Sequence, residues 1–500
     1  MSLRPYSFLR NSFLLLCVGA VGLSACTLSS PKEDPWLPPA ASRPESSAPE
    51  ARPPAFSPTP NPGRVLPTLR AEEAFYTVQA GDTLNQIARA YSLPLNLLAD
   101  ANQIENPDLL EVGQELRIPP PIPGPTGPDF ILLPDSELVF SPGSLAFNLN
   151  QFVQSSGGYL SRYQETVSEQ TLTGAEIVDR ISREYSVNPR LLLALIEHQS
   201  GWVTQPQPKT GLEEIPIAVQ EPWRTGLYRQ LAWAANQLNR GYYLWKVNAV
   251  DAWFLPDSQI VPPDPRLNAA TAGVQNLFSA LYERPAWERA VGPQGLQATY
   301  TRLFGDPFTY TLDDHLPADL QQPDLRLPFA SGETWSFTGG PHGGWGDGSA
   351  WAAVDFAPPD GGRGCASSQA WVTAVAAGKI VRSAEGVVVL DLDGDGLEQT
   401  GWSILYLHIA AQGRVKAGAV VKPGDRIGRP SCEGGLSNGT HVHLARRCNG
   451  EWIPADGEIP FIMDGWVSVG SGNEYDGTLI REGVVVEAWD SVRPENQIQR

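Results

Sequence analysis

The residues best suited to chemistry are histidines and one aspartate, because four of the six histidines lie between residues 342 and 443. His441 and His443 stand two apart in the apolar run GTHVHLARR. In a β-strand such residues face the same side, roughly 7 Å apart, so one can bind a metal ion while the other reaches a water molecule. His408 ends a second apolar run, ILYLH, and Asp355 lies in a third, AAVDFAPP. A buried carboxylate is unfavourable unless it is paired or metal-bound, so the pattern predicts a metal centre.

A fourth histidine, His342, supplies a candidate ligand from further upstream. A hydrolytic zinc site takes three protein ligands from His, Asp or Glu and leaves one position open for water. His342 closes the motif GGPH, thirteen residues before Asp355 (355 − 342). The stretch between them, GGWGDGS, is rich in glycine and permits a turn that brings both residues to one point. The alternative is a degenerate site in which His342 is an ordinary loop residue.

These residues need a scaffold, and from about residue 325 the sequence changes to short β runs between Gly, Asp and Pro turns. Four runs, TAVAAGKIV, LYLHIA, VKAGAVVKPGDRIG and GTHVHLA, resemble in order the core of the LytM/lysostaphin-type zinc endopeptidases. The commoner branch of that family has a ligand histidine four residues before the Asp, where this chain has Trp351. GGPH instead is similar to the Gly-Gly-x-His motif of the β-lytic metallopeptidase and staphylolysin branch. A mainly antiparallel β peptidase domain is therefore expected at 325–500.

The resemblance implies a role for each of these side chains. His342, Asp355 and His443 would hold one Zn²⁺. His441 would accept or orient the proton of water, and His408, as imidazolium or donor, would stabilise the oxyanion. The substrate implied is the peptide cross-link of bacterial peptidoglycan.

A second metal loop is a weaker prediction. Asp391, Asp393 and Asp395, followed by Gly396, match the first half of a calcium loop. The twelfth position is Trp402, where such a loop needs a bidentate Glu. A turn-rich hairpin is the favoured interpretation, with Ca²⁺ as the alternative.

The cysteines predict one disulfide. After removal of a signal peptide, Cys365, Cys432 and Cys448 remain besides Cys26. In an oxidising compartment one pair and one leftover thiol are expected. We favour Cys365 with Cys432, although sequence does not fix the connectivity.

Residues 74–120 predict a small βααβ module. Thr83 is placed to cap a first helix, and Pro94 suits the start of a second. YTVQAGDTL and GQELRIP, with the residues between them, resemble a LysM domain. The resemblance implies binding of N-acetylglucosamine chains by a groove whose candidate residues are Gly81, Asp82, Thr83, Leu84 and Asn102. The alternative is a module that has lost sugar binding.

Residues 169–310 predict an all-α, lysozyme-like middle domain, preceded by a linker and packing segment at 121–168. Thr173 and Glu176 form a capping-box pattern. PRLLLALIEHQSGW is similar to the catalytic helix of lysozyme-like lytic transglycosylases, but Gln199 stands where that family has its acidic Glu. An amide cannot protonate a glycosidic oxygen, and Glu197 points to another side of the helix. A glycan-positioning module or a structural bundle is expected rather than a glycosidase.

The N-terminus predicts export. Arg4 and Arg10 precede a short apolar run that ends in LSAC, which resembles a bacterial lipobox. This pattern predicts a signal peptide at 1–25, lipidation of Cys26 and a disordered Pro-rich tether at 26–73. The net charge of −19, with 55 acidic and 36 basic residues, argues against a nucleic-acid partner.

Together these features predict a multidomain, lipid-anchored, extracytoplasmic peptidoglycan zinc endopeptidase that LysM directs to the cell wall. The alternative is a non-catalytic wall-binding lipoprotein that positions or activates another hydrolase.

Overall fold

A computed structural model describes residues 63–91, 93–313, 315–361 and 364–500. All of them belong to the second of two compact units, Phe56–Arg500. The predicted signal peptide, the lipidation site Cys26 and most of the tether lie outside the described residues. Within the described ranges, no helix is both long and apolar enough to cross a bilayer.

Residues 74–118 form the predicted βααβ module. It consists of β1 (Ala74–Thr77), α1 (Leu84–Ala90), α2 (Leu95–Ala101) and β2 (Glu115–Ile118), with β1 and β2 antiparallel. The Thr83 hydroxyl accepts the N–H of Gln86 at 3.2 Å, and the Gln86 side chain accepts the N–H of Thr83 at 3.0 Å. This reciprocal cap starts α1 and directs its apolar face onto a small core, whose buried members include Leu84, Ile87, Leu98, Leu116 and Ile118.

The middle region is built mainly from helices. The predicted capping box is confirmed, because Thr173 and Glu176 bond reciprocally at the start of α4. Asn188 caps α5, Pro189 occupies its first turn, and Gly201 ends it in the left-handed conformation. The helices are α3 (Leu149–Ser156), α4 (Gly174–Tyr185), α5 (Pro189–Ser200), α6 (Leu227–Lys246), α7 (Ala269–Ser279), α8 (Arg284–Ala290) and α9 (Leu296–Phe304).

The expectation of an all-α middle domain was wrong in one respect, since two short hairpins interrupt the helices. They are β3 (Gln164–Val167) with β4 (Gln170–Thr173), and β5 (Trp253–Phe254) with β6 (Ile260–Val261). The first hairpin turns at Ser168 and Glu169, whose φ angles are 48° and 69°. Two consecutive positive φ angles match the tight turn that joins antiparallel strands. The β-branched residues flanking that turn then favour extended backbone over helix.

The middle region also begins earlier than residue 169. Leu132, Leu138 and Val153, from the segment predicted as linker and packing segment, lie in the helical core. Glu137 from the same segment forms a buried ion pair with Arg190 on α5, with 2.6 Å between Oε1 and Nη2. Removing either partner would leave a buried charge, so this segment is structurally part of the helical region.

The C-terminal region is an antiparallel β structure. Its main sheet has nine strands in the order β13-β10-β11-β12-β15-β8-β7-β21, with β16 paired to β15, and a four-stranded sheet β17-β18-β19-β20 lies beside it. The strands are β7 (Thr334–His342), β8 (Ala353–Ala357), β9 (Val372–Thr373), β10 (Gly378–Ala384), β11 (Val387–Asp391), β12 (Trp402–Leu407), β13 (Val420–Val421), β14 (Arg426–Gly428), β15 (Val442–Cys448), β16 (Glu451–Trp452), β17 (Ile462–Met463), β18 (Trp466–Gly470), β19 (Gly477–Arg481), β20 (Val484–Glu487) and β21 (Gln497–Gln499).

The two faces of the main sheet pack against different cores. Val354, Tyr406 and Leu444 belong to the core of the C-terminal region itself. Ala353 and Ala445, on the opposite face, belong to the core that contains the helices of the middle region. Side chains alternate between faces along a strand, so the helices pack against one face of this sheet.

A disulfide joins Cys365 to Cys432, and Cys448 is buried as a free thiol. The bond closes a loop with a sequence separation of 67 residues. In the chain-entropy description, closing a loop of that size destabilises the unfolded state by about 4 kcal/mol. The bridge ties the segment after β8 to the segment that precedes His441.

Candidate metal centre

Three neighbouring strands position the predicted ligands. His342 is the last residue of β7, and Asp355 is the third residue of β8. The ten residues between β7 and β8 reverse the chain, so that His342 pairs with Ala353 and Gly339 with Asp355. His443 on β15 lies directly opposite Asp355 on β8. The hairpin therefore closes the thirteen-residue gap that separates His342 from Asp355 in the sequence.

The ligand atoms of these three residues converge. His342 Nε2 lies 2.9 Å from His443 Nδ1. The Oδ1 atom of Asp355 lies 3.2 Å from the first nitrogen and 3.3 Å from the second. All three side chains are buried. One carboxylate oxygen and two imidazole nitrogens thus surround a single point.

Backbone carbonyls fix the tautomer of both imidazoles. His342 Nδ1 lies 2.8 Å from the carbonyl oxygen of Gly340, and His443 Nε2 lies 3.2 Å from that of Gly344. A carbonyl only accepts, so each of these nitrogens carries the proton. The opposite nitrogens, which face each other at 2.9 Å, then hold lone pairs. Such second contacts orient histidines that bind metals.

The arrangement fits a tetrahedral zinc ion. Zinc bonds of about 2.0–2.2 Å at tetrahedral angles separate ligand atoms by roughly 3.3 Å, close to the three separations found here. Among the described residues, Asp355 Oδ1 is buried with no hydrogen-bond partner. Two opposed lone pairs beside an unsatisfied carboxylate oxygen are unfavourable unless a cation lies between them. One Asp and two His are also a donor set that zinc accepts.

The Asp355 carboxylate is ionised. Burial alone would raise its pKa, but the imidazoles of His342 and His441 outweigh burial and hold the pKa of Asp355 well below its usual range. A charged oxygen ligand is therefore present at neutral pH.

His408 and His441 lie beside the three ligands. Their ring centroids are 4.5 Å apart, and His441 Nε2 lies 3.6 Å from Asp355 Oδ2. The Nδ1 atoms face carbonyl oxygens, that of Glu433 at 2.9 Å for His408 and that of Gly439 at 2.8 Å for His441. A carbonyl oxygen only accepts hydrogen bonds, so in a neutral ring of either histidine Nδ1 carries the proton and Nε2 is the acceptor.

The state of His408 differs from the imidazolium form that we considered. Burial, and then the neighbouring imidazoles of His441 and His443, lower the pKa of His408 to about 3. His408 is therefore neutral at pH 7, and its proton is committed to the carbonyl of Glu433. It also follows β12 with a φ of 63°, a left-handed conformation that is uncommon outside glycine.

Sequence reasoning missed two residues at the site. The Tyr475 ring stacks on the His342 imidazole, with centroids 4.2 Å apart and planes 19° apart. The neighbouring Glu474 carboxylate accepts the N–H of Gly343 at 3.3 Å. Both belong to the turn between β18 and β19, whose sequence, SGNEYDG, indicates only a turn. Their proximity depends on the packing of that turn against β7, which no local pattern reveals.

Glu197 and Gln199 both serve structural contacts. The Glu197 carboxylate accepts the N–H groups of Val203 at 3.1 Å and Thr204 at 3.0 Å, the Thr204 hydroxyl at 2.6 Å, and Arg302 at 3.0 Å. The Gln199 amide donates to the carbonyl of Ile217 at 2.9 Å. A carboxylate that accepts so many hydrogen bonds holds the segment after α5 in place. These contacts favour a structural role for Glu197 over that of a glycosidase acid.

The aspartates of the predicted calcium loop stabilise their own turn. The Asp391 carboxylate accepts N–H groups of Asp393, Gly394 and Gly396 at 3.2, 3.2 and 2.8 Å. Asp395 accepts the N–H of Leu397 at 2.8 Å. The three carboxylates lie close enough to share an ion, but turn formation accounts for their positions, so calcium gains no support.

The predicted glycan-binding residues form one end of the βααβ module. Gly81 adopts a φ of 96°, and the Asp82 carboxylate accepts the hydroxyl of Tyr76 at 2.8 Å. Leu84 is fully buried, and the Asn102 amide bonds to the backbone of Leu98 and Arg117. The side chains of Leu84 and Asn102 are therefore engaged in packing and in backbone hydrogen bonds within the module.

The fold and the metal centre define a peptidase-like C-terminal domain, and comparison with known families agrees. Residues 350–454 match peptidase family M23, 76–119 match the LysM domain, and 131–319 match the LasA N-terminal domain. The chain thus contains a LysM domain and an M23 peptidase domain, joined by a domain of the LasA N-terminal type. These domains support a cell-wall peptidase. His342 precedes the M23 match and belongs to the longer hairpin described above.

Individual relatives cover different parts of the chain. Protease LasA of Pseudomonas aeruginosa (strain UCBPP-PA14) is 27% identical over 301 residues, which are 57% of this chain and 68% of the relative. The secreted LysM effector ECP6 of Passalora fulva is 47% identical over 45 residues, 9% of this chain and 20% of its own length. Among solved structures, the M23 metalloprotease pseudoalterin from the deep sea is 25% identical in sequence to this chain. The match covers 36% of this chain and 99% of the pseudoalterin chain, with a TM-score of 0.29.

Proposed function

We propose that the protein is an extracytoplasmic zinc endopeptidase that hydrolyses cross-link peptides of peptidoglycan. The observation that carries this proposal is the convergence of His342 Nε2, Asp355 Oδ1 and His443 Nδ1 within 4.8 Å of one another. Zinc bound by these atoms supplies a Lewis acid that polarises a peptide carbonyl and lowers the pKa of water toward about 7.

His441 is the proposed proton acceptor. Its Nδ1 atom is held by the Gly439 carbonyl at 2.8 Å, so a neutral ring presents the lone pair of Nε2. The Asp355 carboxylate, 3.6 Å from that nitrogen, stabilises the positive charge that a transferred proton creates. The protonated ring then has a proton to give to the leaving amine of the cleaved peptide.

His408 is proposed to orient the reacting groups. Because its proton is committed to the carbonyl of Glu433, its remaining nitrogen accepts a hydrogen bond from water or from a substrate N–H. Of the two rings, His441 would then be the hydrogen-bond donor to the oxyanion once it is protonated, beside the residues that would hold the metal. This proposal differs from the role as imidazolium or donor to the oxyanion that the sequence resemblance implies for His408.

The direct test combines metal analysis with product analysis. The full-length protein is incubated with purified peptidoglycan, and new amino termini are measured before zinc chelation, after it and after zinc is restored. We expect one zinc per chain and zinc-dependent release of amino termini. Zinc binding without new amino termini would instead support the non-catalytic lipoprotein that activates another hydrolase.

We further propose that lipidation at Cys26 anchors the chain to the membrane. This proposal rests on the order of charged, apolar and small residues before Cys26. Mass spectrometry of the mature N-terminal peptide tests it, since an unmodified Cys26 would contradict it.

The LysM domain is proposed to hold the enzyme on glycan chains. We expect Gly81→Val to weaken retention of the full-length protein on insoluble peptidoglycan by about 10-fold or more. Gly81 has a φ of 96°, and a β-branched side chain is strained there. The substitution therefore distorts the turn that contains the proposed glycan-binding residues.

Gly113→Val is the matched control for that variant. Gly113 has a φ of 89°, and an added Cβ meets nothing within 4 Å at either glycine. The two substitutions therefore carry similar backbone strain, but Gly113 lies outside the residues assigned to the groove. Equal loss of retention in both variants would show that strain alone is responsible and would remove the assignment of Gly81.

A further inference from the structure

We propose that Asn236, on α6 of the helical region, is a positioning residue for the metal centre in the neighbouring domain. It holds the loop at residues 343–352, whose Gly344 carbonyl orients the ligand His443. The inference rests on the proposed zinc function and adds a requirement to it, since the helical region then completes the metal site that the β strands begin.

Asn236 bonds to the loop with both ends of its amide. Its Nδ2 atom donates to Asp347 Oδ1 at 2.5 Å, and its Oδ1 atom accepts the N–H of Gly348 at 2.9 Å. The loop also approaches the helix backbone closely, because a Cβ added at Gly348 would lie 2.0 Å from the Asn236 carbonyl oxygen. Only glycine, which has no Cβ, allows the backbone at residue 348 to lie this close to the backbone of Asn236.

A displacement at Gly348 would reach Gly344 because hydrogen bonds within the loop link the two ends of this turn. The N–H of Gly344 donates to the carbonyl of Ala350 at 3.0 Å, and the N–H of Trp345 donates to the Ser349 hydroxyl at 3.0 Å. Gly348 and Gly344 therefore lie on one bonded turn. A shift at the Asn236 contact moves the Gly344 carbonyl as well.

Further contacts with the helical region hold the same turn. A Cβ added at Gly344 would lie 2.6 Å from the Trp452 ring, and the Trp452 indole N–H donates to the carbonyl of Tyr185 at 3.3 Å. The Tyr185 ring, at the end of α4, also packs edge-on against Trp345, with centroids 6.4 Å apart. Two helices, α4 and α6, thus contact the loop, and a Cβ added at Gly346 would meet side chains of both, Asn236 and Tyr185.

The last step joins the loop to the metal ligand. The Gly344 carbonyl accepts the N–H of His443 Nε2 at 3.2 Å. This hydrogen bond leaves the lone pair on Nδ1, the atom that faces His342 and Asp355. If the carbonyl moves away, the ring loses both its fixed tautomer and its fixed orientation. Such outer contacts typically change metal affinity by about 10–100-fold when removed.

The test compares three full-length variants. Asn236→Ala removes both hydrogen bonds to the loop, and Gly348→Ala disturbs the same contact from the other domain. Asn276→Ala is the matched control, because Asn276 bonds to Gln237 on α6 at 2.8 Å within the helical region. Zinc affinity is measured by chelator competition. Hydrogen exchange of residues 343–350 is measured in the metal-free protein, and thermal unfolding verifies that each variant folds.

We expect Asn236→Ala and Gly348→Ala to weaken zinc binding by about 10-fold and to accelerate exchange in the loop, while Asn276→Ala matches the wild type. Wild-type zinc affinity in both loop-contact variants would overturn the inference and leave the proposed function intact. Faster peptide cleavage by Asn236→Ala would also overturn it, because the helices would then restrain the site. A wild-type chain that binds no zinc would refute the proposed function itself.

Discussion

Replacing His342 with alanine is expected to strip zinc from the protein and to lower cleavage of peptidoglycan peptides by at least about 100-fold. Loss of an outer contact alone changes affinity by about 10–100-fold, and loss of one of three protein ligands has a larger effect. His342 Nε2 is also the nitrogen closest to both partners, 2.9 Å from His443 Nδ1 and 3.2 Å from Asp355 Oδ1. Zinc content and new amino termini are measured on the same preparation.

His198→Ala is the matched control for this variant. His198 is a partly buried imidazole, whose pKa burial lowers to about 4, and it lies on α5 against Thr299. Its loss perturbs packing without touching the metal centre, so zinc content is expected to stay at the wild-type level. Full zinc occupancy in His342→Ala would mean that another residue completes the site and would remove His342 from the ligand set.

Much of the metal centre could be predicted because its residues lie on strands with clear patterns. Apolar alternation places Asp355 and His443 on predictable faces, and the structure pairs them directly. The remaining uncertainty was whether a histidine thirteen residues upstream could reach them. A glycine-rich β-hairpin closes that gap, and glycine-rich connections permit such turns.

The rest of the site depends on contacts that no local pattern encodes. Tyr475 reaches His342 through the packing of a second sheet, and Gly344 reaches His443 through a backbone carbonyl. A carbonyl is present at every residue, so its use as a partner cannot be predicted from residue type. The left-handed φ of His408 is likewise a result of its surroundings.

The arrangement of domains was the least predictable feature. The helical pattern near residues 171–308 indicates buried faces but not what covers them. In the structure, one core contains residues of α5 and α6 together with Ala353 and Ala445 from the β sheet. Asp355 and His443 share strand faces with those two alanines, because side chains alternate. The helical region therefore packs against part of the same sheet face that carries the candidate metal centre.

His441→Ala is expected to lower kcat for peptide hydrolysis by roughly 10²–10⁴-fold, the range that general acid–base catalysis contributes. Zinc content is expected to be unchanged, because the three proposed ligand atoms belong to His342, Asp355 and His443 and none of them to His441. KM is also expected to change little, since the transferred proton matters mainly in the transition state. Steady-state kinetics on a soluble cross-link peptide measure both constants, and zinc analysis accompanies them.

The comparison with His408→Ala makes this prediction specific. Both rings direct Nδ1 at a backbone carbonyl oxygen. Of these two rings, only that of His441 has a carboxylate oxygen in ion-pair range among the described residues, with Asp355 Oδ2 3.6 Å from its Nε2 atom. A proton transferred to His441 is therefore stabilised, whereas a proton on His408 faces burial and two other imidazoles. His441→Ala should thus lose more of kcat than His408→Ala. A larger loss in His408→Ala would reverse the two roles, and loss of zinc in His441→Ala would make His441 a ligand.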